Sequence, residues 1–212
     1  MADLTMNTII HTAVRRDLAR MHRALGAFPA GDHDRARALQ RAWRTLWNQL
    51  HHHHVSEDTY VWPYLRSLGP DAIDPSVLQA MEDEHEAMSH AMQDATAAVD
   101  GLASEPTAER AAAAASAVAH TTAVTDRHLV HEENEVMPVI VARDHTPEWK
   151  AVEKQLRTGG PFLAGELMAW LQDGAEPHVV AALRKNVPPP VLFVLSRGFG
   201  RAYHREVAPV WR

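Results

Sequence analysis

Apolar residues recur three and four positions apart along most of this 212-residue chain. That step pattern marks the inward stripe of an amphipathic helix. A first stripe runs Val14, Leu18, Met21, Leu25 and Phe28. A second runs Leu39, Trp43, Leu46 and Leu50. A third runs Leu78, Met81, Met88, Met92, Ala95, Val99 and Leu102, and a fourth Ala114, Val118, Thr121, Thr125 and Val136. Proline- and glycine-bearing breakers separate them: FPAGDHD (28–34), LGPDAIDPS (68–76) and ASEPTAE (103–109), with RDHTPEW (143–149) ending the fourth. No segment alternates with the two-residue period of a strand. The pattern predicts an all-α protein: an up-down-up-down four-helix bundle over 1–145 and a C-terminal helical extension over 146–212 packed on it.

The stripes continue through their gaps, and the gaps hold ionisable side chains. His11 lies three residues before Val14, and His53 three after Leu50, followed by Glu57 and then Tyr60. His85 falls between Met81 and Met88; His128 and Glu132 fall between Thr125 and Val136. In an antiparallel hairpin, residues equidistant from the turn share a height. His11 and His53 are centred on residue 32, His53/Glu57 and His85 on residue 70, and His85 and His128 between 106 and 107. All three centres are the breakers. Four histidines and two glutamates are therefore expected in one layer, where unpaired burial would be costly.

The chain also repeats. HHVSEDTYVWPYL (53–65) aligns without gaps on HLVHEENEVMPVI (128–140), and His11 precedes His85 by nearly the same offset. Each helical hairpin thus supplies one histidine from its first helix and a His-x-x-x-Glu pair from its second. An i, i+4 pair projects from one helix face, so both side chains can reach one ion.

Composition narrows the chemistry. The chain has no cysteine and 15 histidines, which leaves imidazole and carboxylate as ligands. Its formal charge of −6 includes no basic stripe, so no nucleic-acid partner is expected. No run of apolar residues is long enough to span a bilayer, and MADLTMNTIIH lacks the build of a signal peptide, so a cytoplasmic protein without a membrane partner is expected. One zinc ion takes about four ligands, and magnesium and calcium prefer oxygen. Six mixed ligands in two symmetric halves suit a pair of transition metals, iron or manganese, with the glutamates bridging. Such a pair keeps positions open for oxygen, peroxide or nitric oxide. The alternatives are a metal-free polar network and a zinc-binding structural bundle.

Four motifs carry a resemblance: His11 in HTAVRRDL, HHVSEDTYVWP (53–63), EDEHEAM (82–88) and HLVHEENEVMP (128–138). Together they resemble the hemerythrin family, in its histidine–histidine–glutamate cation-binding branch, over roughly residues 5–142. The resemblance implies a four-helix bundle with two iron ions joined by carboxylates and an oxo or hydroxo bridge. It puts His11, His53, Glu57, His85, His128 and Glu132 at ligand positions. The oxygen carriers of the family have a further histidine where this chain has Ser89, and they place the fourth-helix carboxylate at the position of Glu133. Some relatives have a ligand directly after the second-helix histidine, which makes His54 an additional ligand candidate. Tyr60 is a candidate for packing beside the centre, hydrogen bonding to it or ligation.

His51 and His52 read as flanking residues, and His22, His120, His131, His145 and His178 as solvent-exposed. In the extension, 161–174 and 176–186 read as short helices and 188–212 as a proline-led apolar helix. Val191, Leu192 and Leu195 are expected to pack on the bundle or form a homodimer surface. Tyr203 and His204 are candidates to approach the layer. The functional expectation is binding of a small oxidant, with peroxide disproportionation, nitric oxide handling and iron or oxygen sensing or storage as the competing roles.

Overall fold

The computed structural model describes residues 4–212, so the first three residues of the expected 1–145 unit lie outside the described residues. The described residues form helices and no strand. Four long rods make the bundle: α1 (Met6–Gly26), α2 (His33–Ser56), α4 (Pro75–Ser104) and α5 (Ala108–Glu135). Each starts where a side chain satisfies an orphan amide of the first turn. Thr5, Asp32, Asp74 and Thr107 accept from the backbone N–H of Thr8, Arg35, Ser76 and Arg110. Gly31 and Gly69 take positive φ at the first two turns, a conformation open to glycine. Gly31 N–H donates to Pro106 O at 2.7 Å, tying the first and third turns together at one end of the bundle.

The repeated proline is handled in two ways. Pro63 has no N–H to give the helix, and the chain answers with a π turn, Glu57–Val61, before α3 (Trp62–Ser67). Trp62 N–H reaches back five residues to Glu57 O, and Val61 and Trp62 are both buried. At Pro138 the rod breaks instead: α5 ends at Glu135 and α6 (Met137–Val141) follows. The fourth helix was expected to run unbroken to the 143–149 breaker, and Pro138 is the reason it does not.

Two large apolar clusters, with a small third one of Met88, Ala91 and Val124, fill the bundle. The larger holds Leu18, Leu39, Trp43, Leu46, Leu50, Met92 and Leu129. The smaller holds Trp62, Leu65, Leu78, Met81, Val136 and Trp149. Trp149 comes from α7 (Pro147–Leu156) and lies beside Tyr64.

The remaining helices are α8 (Gly160–Gln172), α9 (Pro177–Asn186), α10 (Pro189–Phe193), a π turn Val194–Phe199, α11 (Arg201–Glu206) and a closing 3₁₀ turn Ala208–Trp211. The expected apolar helix after residue 188 is thus broken into four pieces. Of its expected core residues Leu192 is buried and Leu195 half-buried, whereas Val191 is exposed. Asp17 of α1 fastens the extension. Its buried carboxylate accepts from Trp170 Nε1 at 2.8 Å, Arg16 Nε at 2.7 Å and Arg20 Nη1 at 3.1 Å. Arg20 also donates to Asp173, which accepts from the Tyr203 hydroxyl. Tyr203 and His204 are therefore engaged away from the histidine layer, His204 with Ser196.

Candidate metal centre

Between the two apolar clusters lies a layer of seven buried ionisable residues: His11, His53, His54, Glu57, His85, His128 and Glu132. Their ligand atoms fall into two groups. His54, His85 and His128 converge on one point, and His11, His53, Glu57 and Glu132 on another, each set within 4.8 Å. The glutamates stand between the groups. Glu57 has Oε1 3.3 Å from His53 Nε2 and Oε2 3.7 Å from His85 Nε2. Glu132 Oε2 lies 3.1 Å from His11 Nε2 and 3.7 Å from His128 Nε2. His11 and His53 bring their Nε2 atoms within 3.3 Å of each other.

The inner atoms have too few partners. Among the described residues, eight buried side-chain polar atoms make no hydrogen bond, and five of them belong here: Nε2 of His54, His85 and His128, and Oε2 of Glu57 and Glu132. Buried polar atoms are normally satisfied, so a concentration of orphans in one layer is the build of a cation site.

The outer ring atoms are well held. His85 Nδ1 lies 2.8 Å from Asp58, His128 Nδ1 2.9 Å from Glu84, and His11 Nδ1 2.9 Å from Glu133. Arg15 donates to Glu133 through both terminal nitrogens and to Asp126 through Nε. Asn7 donates to Glu132 Oε1 at 2.6 Å. A carboxylate on Nδ1 fixes the tautomer that turns a bare Nε2 inward.

Electrostatics follow from burial and crowding. Burial lowers the pKa of His53 to about 3, helped by the charge of His11, and lowers those of His54 and His128. Burial also pulls on His11, but Glu132 and Glu133 outweigh it and raise its pKa to about 9. Burial and the neighbouring Glu132 hold Glu57 well above the usual carboxylate range. Glu132 itself is held low: burial opposes this, but His11 prevails.

The expected residues divide as follows. His11, His53, Glu57, His85, His128 and Glu132 meet in the layer, and His54 joins them. Tyr60 is half-buried and belongs to neither group. Glu133 is partly exposed and faces His11 from outside. His90 is exposed. His131 departs from expectation: it is half-buried and shares Glu84 with His128. Sequence reasoning missed Asp58 and Glu84 as supports. Asp58 and Glu133 were visible as the second acid of each repeat, each serving the first-helix histidine of the other hairpin. Glu84 had no such signal, because its counterpart in the first hairpin is Ile10.

A helical bundle that gathers imidazoles and carboxylates in this way is of the cation-binding class. The model of the hemerythrin HHE cation-binding domain matches residues 9–140, and the chain belongs to that family. No curated protein and no solved structure matches the chain. None of its described helices is long and apolar enough to cross a membrane.

Proposed function

We propose that the layer holds two iron ions and binds a small oxidant: oxygen, peroxide or nitric oxide. The five inward orphan atoms support this reading. His54, His85 and His128 would hold one ion, His11 and His53 the other, with Glu57 and Glu132 shared between them. Iron there would supply redox-active Lewis acid sites with room for an added ligand. The protein residues supply the rest. Asp58, Glu84 and Glu133 orient imidazoles, and the flanking apolar clusters exclude water. Tyr60 is left as a packing residue. Iron suits this mixed nitrogen and oxygen set better than zinc, which would leave several of the seven donors unused. Metal analysis of protein purified with iron is expected to give about two ions per chain, with a visible band that shifts on adding peroxide. Iron content unaffected by His53→Ala and Glu132→Ala would overturn the reading. Sustained oxygen evolution from peroxide would mark an enzyme, and a reversible oxygen adduct a carrier.

The extension supports a homodimer within the same proposal. Phe162, Phe193, Val191 and Val194 are exposed, and Phe162 packs edge-on against Phe199 at 5.3 Å. Phe162 and Phe199 thus stand together, and Phe193 adds a third exposed ring in the same extension. Light scattering is expected to show a dimer that Phe193→Arg dissociates; a monomeric parent chain would overturn this part.

A further inference from the structure

The layer is unevenly sealed. His11, His128 and Glu132, which face α1 and α5, are at most 1 % exposed. His54 and His85, on the α2–α4 side, are 8 % and 6 % exposed, and His53, which faces His11 rather than α4, is 9 % exposed. Arg15, bridging Glu133 and Asp126, closes the seam between α1 and α5. Glu84, bridging His128 and His131, closes that between α4 and α5. Between α2 and α4 there is instead a cleft of about 290 Å³ that ends on His54 and His85.

The walls of this cleft have a definite character. Trp47 and His51 stack in parallel on the α2 side, their centroids 5.7 Å apart. Met88, Ser89 and Met92 form the α4 side. Three acids, Asp58, Glu82 and Glu86, also line it, and no lysine or arginine does. Glu82 is paired with Arg66 at 2.8 Å and Asp58 with His85, while Glu86 stands exposed with His90 3.8 Å away.

We infer that small ligands reach the centre through this cleft, and that its acidic lining favours neutral molecules over anions. The inference rests on the iron reading above and adds to it the route and the charge class of the ligand. Charges within a Debye length of a narrow entrance repel an incoming anion and leave a neutral molecule unaffected. Ser89 matters for a steric reason. A small side chain at the α4 wall keeps the passage open, and a large one there fills it.

The test uses the iron-loaded full-length protein in a stopped-flow spectrometer, with sodium azide as the anion and nitric oxide, without air, as the neutral probe. Glu86→Lys changes only an exposed side chain. It is expected to raise the azide rate several-fold at low salt, with the gain fading as salt is added and the nitric oxide rate unchanged. Ser89→Trp is expected to slow both probes about tenfold or more at unchanged iron content. Unchanged rates in both variants, with iron and its absorption intact, overturn the cleft alone. Equal acceleration of azide and nitric oxide by Glu86→Lys overturns the charge selection. A parent protein that takes up no iron overturns the metal reading and this inference with it.

Discussion

The imidazoles of His54 and His85 lie face to face, their centroids 4.1 Å apart and their planes 18° from parallel. His54 comes from the second helix of one hairpin and His85 from the first helix of the next. The stack brings His54 into the group completed by His128, so the two groups differ: three imidazoles in one, two in the other. In the repeat, the position matching His54 is Leu129, a buried core residue. The internal symmetry of the inward-facing donors is thus broken at this position. On the proposed two-ion reading, His54→Ala should lower bound metal from about two ions per chain towards one, because the other group keeps its four donors. His52→Ala, at an exposed neighbour, should leave it unchanged. Elemental analysis of the purified variants reads the difference.

The carboxylates behind the histidines should tune affinity without making the site. Asp58→Asn and Glu84→Gln each remove a charge from an Nδ1 partner and leave Nε2 in place. Loss of such a partner weakens metal binding by about 10–100-fold. A competition titration against a chelator is the measurement, with circular dichroism showing a helical content equal to the parent.

Much of this centre is legible in the sequence because helical periodicity and hairpin symmetry are both geometric. The stripe places His53 and Glu57 on one face, and the turn midpoints set their height. What the period cannot show is a side chain that enters the layer from beside the stripe. His54 sits next to His53, about 100° around the helix, and only the packing of α4 against α2 brings it to His85. Glu84 and His131 are likewise placed by the crossing of α4 and α5. The π turn before Pro63 and the break before Pro138 arise from the same residue type in aligned positions, and nothing local in the two segments decides between them.

His11 gives the metal-free protein a pH signature. Its pKa is raised from 6.5 to about 9, since Glu132 and Glu133 outweigh the opposing effect of burial. A histidine with a raised folded pKa contributes stability that is complete below its unfolded value. That contribution declines as pH rises from about 6.5 and is gone above about 9. The metal-free chain should therefore lose several degrees of thermal midpoint between pH 6.5 and 9. His11→Ala should flatten that slope. Bound metal needs the same Nε2 free of its proton, so uptake should release a proton in this window and tighten with rising pH. Thermal melts and a weakly buffered metal titration with a pH indicator measure the two opposite trends.

Gly165 and Gly200 set how closely the extension folds on itself. A Cβ on Gly165 would collide with Phe199 Cβ and come within 2.8 Å of Gly200 N, and one on Gly200 would collide with Gly165 O. These neighbours are mainly backbone, so they cannot rotate away as a flexible side chain would. Gly165→Ala should force α8 and the Val194–Phe199 turn apart and cost about 1–3 kcal/mol or more. The disturbance should be greatest in the extension, which joins the bundle through Asp17, Trp170 and Asp173 and through the larger apolar cluster rather than through the layer. The variant should then show faster proteolytic cleavage after residue 146 while the bundle keeps its full metal content. Equal loss of metal and of extension protection would mean that the two parts unfold as one cooperative unit.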